Sequence, residues 1–245
     1  MERSELIIPE NTDLNELVNN KETKEGEKSC IDSVLNNILQ RELVNVNELF
    51  EDTRVSIYEN KYSDQLIYNS EGYELNNLLT NKFSISLSNF DMKKCESSYE
   101  KAKTIAMHDW FTPGGYFDGT ACIENLKWYS KLMCIDIYEE HNIHIANFNQ
   151  LREELLKIEN IAYIGKPYDK NGFYVFIPIA DGNKHEEYFD AIERAMWRLN
   201  IFISEEGKDI TRRIPCYYDT DFYKADFAII FDTYLNNYPF NKYHV

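Results

Sequence analysis

The hydrophobic pattern of the chain is clearest in its second half, where apolar runs alternate with apolar residues at helical spacing. The run Leu132–Ile137 is continuous, as is typical of a strand covered on both faces. Apolar residues recur at helical spacing over 148–158 and over 185–200, and each pattern predicts an amphipathic helix. Ile161–Ile164 predicts a second short strand, and a last strand is expected within Ile201–Cys216.

A β-hairpin is predicted between the two helices. Asn171 and Gly172 separate Ile161–Ile164 from the apolar run Phe173–Ile179, and Asn-Gly between apolar runs is the strongest short-range hairpin signal. The resulting order is strand, helix, strand, strand, helix, strand, which is the split βαβ, or ferredoxin-like, pattern. The sequence therefore predicts an α+β fold with a βαββαβ core.

The first half of the chain carries shorter elements. Apolar spacing predicts helices over 31–39, 74–79 and roughly 91–107. The alternating residues Arg54–Glu59 suit a short strand, and the Pro-Gly-Gly of Thr112–Gly115 predicts a turn.

The composition of the chain says more about its possible binding partners than about its fold. The chain has 245 residues, of which 43% are apolar and 14% aromatic, enough for one large domain or a domain with an appended piece. Its formal net charge of −16 disfavours nonspecific binding to DNA or anionic lipid, because binding to a polyanion depends on cationic surface. A local basic groove is still allowed. The charge serves solubility or, as the alternative, mimics nucleic acid.

Targeting and cysteine signals favour a reducing, intracellular setting. The N-terminus lacks the basic start and apolar core of a signal peptide, and the apolar runs are too short to span a bilayer, so we expect no membrane association. The five cysteines form no Cys-x-x-Cys pair, which argues against a zinc site or a disulfide framework. These signals predict a cytoplasmic location.

The candidate for chemistry is Asp136, a lone acid inside the apolar run Leu132–Ile137. A buried carboxylate without a partner costs several kcal/mol, so Asp136 must be paired with a metal ion or with an arginine. Residues i and i+2 of a strand share a face, and two acids at that spacing suit Mg²⁺ or Mn²⁺. Here the second position is Tyr138, a poor ligand for hard cations, and Glu140 restores the pair only if the strand runs further.

Several motifs occur together in the order that they have in one family. They are Val55–Asn60, Phe111–Phe117, Cys134–Ile137, Asn171–Phe173 with Phe176–Ile179, Asp209–Arg212, and Tyr218–Tyr223. The set resembles the VirE N-terminal-type domain of Bacteroidetes mobile elements and phages, which belongs to the archaeo-eukaryotic primase superfamily. The resemblance covers roughly residues 53–230.

This resemblance implies an RRM-like catalytic sheet and template-directed nucleotide addition with a divalent metal. The family's Asp-x-Asp keeps only its first acid, Asp136, because Tyr138 stands at the second position. Tyr174 occupies the place of a phosphate-binding basic residue or histidine after the hairpin glycine. The later Asp-x-x-Arg is kept as Asp209 and Arg212. We therefore expect a degenerate active site without robust polymerase activity.

The candidate site residues fall into two groups. Asp136 and Asp209 are the catalytic remnant and the candidates for a weak Mg²⁺ or Mn²⁺ site. The structural alternatives are an ion pair of Asp136 with Arg212 or Arg213, and a turn closed by Asp209. The candidates for binding nucleotide or nucleic acid are Lys166, Lys170, Tyr174, Arg212 and Arg213. For these, solvated lysines and simple packing of the tyrosine are the alternatives.

Two functions are expected from these observations. The first is a primase-like protein of a phage or mobile element that binds nucleotide or single-stranded nucleic acid in replication. The alternative is a non-enzymatic protein that binds a host or virion protein through its acidic surface and aromatic C-terminal tail. The expected organisation is a partly mobile, acidic helical extension (1–52), the N-terminal part of the primase-like domain (53–130), the RRM-like core (131–230) and the tail (231–245).

Overall fold

The computed structural model describes residues 42–67, 71–80, 97–167, 171–217 and 219–233. Helices and antiparallel sheets are mixed in these ranges, which confirms the α+β class. The predicted helix over 31–39, the candidate residue Lys170 and the tail beyond residue 233 lie outside the described residues. Of the helix predicted over 91–107, the described part forms a helix over Ser98–Ala106.

The described chain contains five α-helices and thirteen strands. The helices are α1 (Val46–Asp52), α2 (Leu75–Thr80), α3 (Ser98–Ala106), α4 (Leu151–Leu155) and α5 (His185–Arg198). The strands are β1 (Leu43–Asn45), β2 (Arg54–Val55), β3 (Ile57–Tyr58), β4 (Tyr73–Glu74), β5 (Trp110–Phe111), β6 (Gly115–Phe117), β7 (Leu126–Tyr129), β8 (Leu132–Tyr138), β9 (Tyr163–Gly165), β10 (Gly172–Pro178), β11 (Ile214–Pro215), β12 (Tyr223–Lys224) and β13 (Phe227–Ile229). Short 3₁₀ turns lie between several of them.

The central sheet has four strands in the order β12-β9-β10-β8, all antiparallel to their neighbours. The predicted hairpin is confirmed, because β9 and β10 pair on either side of Asn171 and Gly172. In the longest pairing, Tyr174 of β10 stands opposite Asp136 of β8. Two of the candidate site residues are therefore cross-strand neighbours.

Strand β8 is buried along its whole length, as its continuous apolar run predicts. On one face Met133, Ile135 and Ile137 belong to a core formed with α4 and α5. Leu132 and Cys134 point to the other face, into a second core shared with the N-terminal part of the described chain. Asp136 stands on this second face because side chains alternate along a strand.

The predicted last strand is only partly correct. Residues 201–204 run beside β8 with one backbone hydrogen bond, from Ser204 N to Asp136 O at 2.8 Å. A 3₁₀ turn over Glu205–Lys208, capped by the Ser204 side chain, then takes the chain away from the sheet. Strand β11 follows, but it pairs with β5 in a separate sheet of order β11-β5-β3.

Two other predicted elements are shorter than their patterns. The helix expected over 148–158 is α-helical only in α4, because hydrogen bonds between residues three apart replace the α-helical ones at both ends. The strand predicted over Arg54–Glu59 is divided between β2 and β3, which belong to different sheets. In the parts of the chain that the structure describes, no helix has the length and apolar character to cross a membrane.

Candidate functional site

The partner of Asp136 is Arg212. The guanidinium donates Nη1–H to Oδ2 at 2.5 Å and Nη2–H to Oδ1 at 2.8 Å, which is a bidentate ion pair. The Asp136 side chain is 0% exposed and that of Arg212 is 8% exposed. Of the two arginines that the sequence offered, the structure places Arg212 on the carboxylate.

Tyr138 completes the shell of donors around this carboxylate. Its hydroxyl donates to Asp136 Oδ2 at 3.1 Å from the same face of β8. Burial, and then the charge of Asp136, raise the pKa of the Tyr138 phenol above its ordinary value, so the phenol keeps its proton. Tyr138 therefore acts as a hydrogen-bond donor to the buried carboxylate.

Cys134, two residues before Asp136, contacts the other side of the guanidinium. Arg212 Nη2 lies 3.1 Å from Cys134 Sγ. Burial raises the pKa of the Cys134 thiol to about 12, so the sulfur is neutral at pH 7. Burial alone would lower the pKa of Arg212, but the charge of Asp136 and its hydrogen bonds with the guanidinium help to raise it well above the ordinary value. The charged pair is thus the stable form of this site.

Asp209 positions Arg212 through a turn. Asp209 Oδ1 accepts hydrogen bonds from Thr211 N at 2.8 Å and Thr211 Oγ1 at 2.7 Å, and its backbone carbonyl accepts from Arg212 N at 3.2 Å. This Asx-type turn lies between the 3₁₀ turn at Glu205–Lys208 and strand β11. In the motif Asp-x-x-Arg, Asp209 therefore closes a turn and Arg212 forms the ion pair with Asp136.

These contacts bear on the predicted metal site. A metal ion at Asp136 would have to displace the bidentate Arg212, and Asp209 Oδ1 already accepts two hydrogen bonds. Within the described ranges, no group of three or more His, Cys, Asp or Glu side chains is arranged to hold a metal ion. The weak Mg²⁺ or Mn²⁺ site at Asp136 and Asp209 stays a prediction.

Arg213 and Lys166 both make ion pairs of their own. Arg213 donates to the carbonyls of Ser63, at 2.6 Å, and Lys61, at 3.2 Å, and pairs with Asp64 at 3.1 Å. Its guanidinium also lies 3.7 Å from the centre of the Tyr58 ring, so it fastens the loop after β3.

Lys166 is farther along the chain, at the end of β9, where its ammonium pairs with Asp221 at 3.0 Å. Its backbone N–H donates to Asp219 Oδ2 at 2.9 Å. Lys166 does not line the cavity at the ion pair. Among the described candidates, the structure brings together Asp209, Tyr174, Arg212 and Arg213, and it leaves Lys166 apart.

A cavity of about 330 Å³ opens at the ion pair. Its walls combine three aromatic rings, of Trp110, Tyr138 and Tyr174, with charged side chains of both signs. The cations are Lys61, Arg212 and Arg213, and the carboxylates are those of Glu206 and Asp209. The Lys61 ammonium lies 5.1 Å from the centre of the Trp110 ring. A volume of this size is at the lower end of the range of small-molecule sites. Aromatic faces beside cations suit a planar base and its phosphates.

Sequence reasoning missed Lys61 and Trp110. They come from the loop after β3 and from β5, about fifty residues apart in sequence, and neither belongs to a periodic pattern. Strands β3 and β5 pair, with Tyr58 opposite Trp110, and Lys61 N donates to Ala106 O, at the end of α3, at 2.8 Å. The motifs Val55–Asn60 and Phe111–Phe117 lie directly beside the two residues but include neither of them.

Comparison with known proteins adds no assignment. No family model, curated protein or solved structure matches the chain. The resemblance to the VirE N-terminal-type domain therefore rests on the ordered motifs, and it stays a prediction.

Proposed function

We propose that this chain is a primase-like protein of a phage or mobile element that binds a nucleotide without polymerising it. The carrying observation is the bidentate Asp136–Arg212 ion pair, which uses both oxygens of the one acid left on the central strand. Nucleotidyl transfer by two metals needs carboxylates that are free to hold the ions. An arginine in their place keeps positive charge at the site but cannot activate an attacking hydroxyl.

The finer fold that we propose is an RRM-like βαββαβ core. In its favour, β8, β10 and β9 are neighbours in the order that such a core gives to its first, third and second strands. Helices α4 and α5 lie in the two crossover connections, and residues 201–204 run along the free edge of β8. The short β12, beside β9, is an addition to this pattern.

The proposed ligand site is the cavity at Tyr174, Arg212 and Lys61. A base would stack on an aromatic wall, and the phosphates would lie toward the cationic side chains. Because positive charge comes from the protein, binding should need no divalent metal. The site is small, so it suits one nucleotide unit better than a duplex.

The test is a titration of the full chain with ATP or dATP in the presence of EDTA. Binding is measured by the change in melting temperature and in tryptophan fluorescence. Both should respond, since Trp110 lines the cavity. The variant Lys61→Ala should weaken binding by about tenfold or more, since a hydrogen bond to a charged group contributes about 1.5–3 kcal/mol. Lys127→Ala, which removes an equally exposed lysine from β7, should leave it unchanged.

Two results would overturn the proposal. One is the lack of any response to either nucleotide in low salt, which would leave the non-enzymatic protein-binding function as the better account. The other is primer synthesis by the purified chain, which would show that the ion pair opens during catalysis.

A further inference from the structure

A second and larger cavity, of about 880 Å³, shares the lining residue Asp209 with the proposed nucleotide site. Its walls come from the segment leading into and through β7, from the start of α5, and from residues 208–210. Neither the primase resemblance nor the proposed nucleotide binding gives it a role.

The walls of this cavity are fixed to one another by a buried histidine. The Tyr129 hydroxyl and His185 Nδ1 are 2.7 Å apart, and His185 Nε2 and the Gly207 carbonyl are 3.1 Å apart. Because a carbonyl only accepts, Nε2 carries the proton and Nδ1 accepts from the tyrosine. One side chain thus joins β7, α5 and the 3₁₀ turn before Asp209, so the cavity is formed before anything binds.

The lining combines apolar surface with negative charge. The apolar part comes from Ile123, Leu126, Ala180, Ile210 and the ring of Tyr129. The carboxylates are those of Asp181, Glu186, Glu187, Asp190 and Asp209, and the lysines are Lys131 and Lys208. Lys208 is already paired with Asp190 at 2.8 Å, so the lining keeps an excess of negative charge.

Exposure shows where a partner would make contact. Ile123 is 57% exposed at the rim, which leaves a branched apolar side chain in water. Glu186 and Glu187 are both exposed in the first turn of α5 and line the same cavity. An apolar contact together with a pair of carboxylates matches a partner that carries an apolar side chain among positive ones.

We propose that this cavity, which we call the β7–α5 groove, docks a lysine- or arginine-rich peptide segment of another protein through an aliphatic or aromatic anchor. Charge complementarity selects the basic partner, since the groove repels anionic peptides and nucleic acid. The apolar wall selects a peptide over a simple polycation, because a polyamine has no side chain to bury there. The preformed walls reduce the entropic cost of docking.

The probe is a fluorescein-labelled synthetic peptide of alternating lysine and leucine, titrated with the full chain and followed by anisotropy. The double variant Glu186→Gln with Glu187→Gln should weaken binding about fivefold, as expected for two partly exposed ion pairs. Its control is Glu51→Gln with Asp52→Asn, which removes two exposed adjacent acids from α1 and so makes the same change in net charge. This control should bind like the unmodified chain.

A second pair of variants tests the apolar contact. Ile123→Ser should weaken binding about fivefold, because the variant lacks the apolar side chain whose burial by the peptide stabilises the complex. Ile143→Ser removes a residue that is 84% exposed outside the groove and should have no effect. Both positions are on the surface, so the variants are expected to fold.

Three outcomes would overturn the proposal. If the α1 control weakened binding equally, the peptide would be attracted by the overall charge of −16 and not by the groove. If spermine bound as tightly as the peptide, an apolar anchor would not contribute to binding. No measurable binding of the peptide at low salt would show that the groove does not take a basic segment. Each outcome is independent of the nucleotide titration, which concerns the cavity at Tyr174.

Discussion

The guanidinium of Arg212 donates hydrogen bonds to both carboxylate oxygens of Asp136, although the two residues are 76 positions apart in the sequence. The pair is almost completely buried, and Tyr138 adds a third donor. The single acid of strand β8 is thus paired only while the turn at Asp209 stays in place. The geometry of the site and the attachment of β11 to the rest of the fold depend on the same contact.

Replacing Arg212 should therefore be far more damaging than replacing an exposed cation. The variant Arg212→Met leaves the buried Asp136 carboxylate unpaired and should lower the free energy of unfolding by about 3–5 kcal/mol. Lys127→Met, on the exposed side of β7, should change it by less than about 0.5 kcal/mol. Urea denaturation followed by circular dichroism measures both.

The double variant Asp136→Leu with Arg212→Met serves as the control for this effect. It removes both charges and fills the space with apolar atoms, and such replacements are often neutral or stabilising. We expect it to recover most of the stability that Arg212→Met loses. If the double variant were as unstable as the single one, packing of the arginine stem and not the ion pair would be the cause.

Tyr138→Phe tests the third donor. The substitution keeps the ring in the core and removes the hydroxyl that lies 3.1 Å from Asp136 Oδ2. A hydrogen bond to a charged group contributes about 1.5–3 kcal/mol, so the midpoint of urea denaturation should fall by a measurable amount. An unchanged midpoint would mean that Arg212 alone satisfies the carboxylate.

The sequence predicted this pair of residues only as one of several choices. A carboxylate in a buried strand needs a partner, but this requirement does not identify which arginine or metal ion is the partner. Strand β8 and the hairpin were predictable because their patterns are local: a continuous apolar run, and Asn171–Gly172 between two such runs. The Asx-type turn at Asp209 is local, but the contact of Arg212 with Asp136 joins residues that are 76 positions apart and depends on tertiary packing that no local pattern encodes.

The error in the last strand has the same origin. The apolar residues of 201–216 suggested one interrupted strand, whereas the Ser204 cap and the 3₁₀ turn divide them between the edge of β8 and a second sheet. Lys61 and Trp110 were missed because their meeting depends on the packing of the loop after β3 against the end of α3. Side chains that meet only through tertiary packing leave no periodic signal.

The metal dependence of the site can be tested on the same variants. Addition of Mn²⁺ without nucleotide should leave the melting temperature of the unmodified chain unchanged, because Arg212 occupies the only acid on the central strand. In Arg212→Met the released Asp136 should bind Mn²⁺, and the melting temperature should rise. A rise in the unmodified chain that EDTA reverses would support the predicted metal site at Asp136 and Asp209.

His185 should make stability depend on pH. Burial lowers the pKa of His185 from its ordinary value near 6.5, so the unfolded chain takes up the proton at a higher pH than the folded one. Above pH about 6.5 the residue is neutral in both states and the contribution is complete. As the pH falls below that value, the unfolded state gains the proton first, and the free energy of unfolding should decrease.

The measurement is a series of urea denaturations between pH 7.5 and pH 5. The variant His185→Asn should flatten the decrease, while His141→Gln, which alters an exposed histidine, should leave it unchanged. A slope that persists in His185→Asn would assign the pH dependence to another group.

Gly182 connects the stability of the fold to the shape of the β7–α5 groove. A Cβ atom at this position would stand 2.0 Å from Cδ1 of Tyr129, so Gly182→Ala must push the ring aside. Displacing the ring strains its 2.7 Å hydrogen bond with His185 and should cost about 1–3 kcal/mol of unfolding free energy. Gly119→Ala is the comparison, because there the nearest atom is 3.7 Å away and the cost comes only from its φ of +101°. We expect Gly182→Ala to weaken binding of the lysine–leucine peptide and Gly119→Ala to leave it intact. If both variants bound the peptide equally well, the position of the Tyr129 ring would not be what shapes the groove.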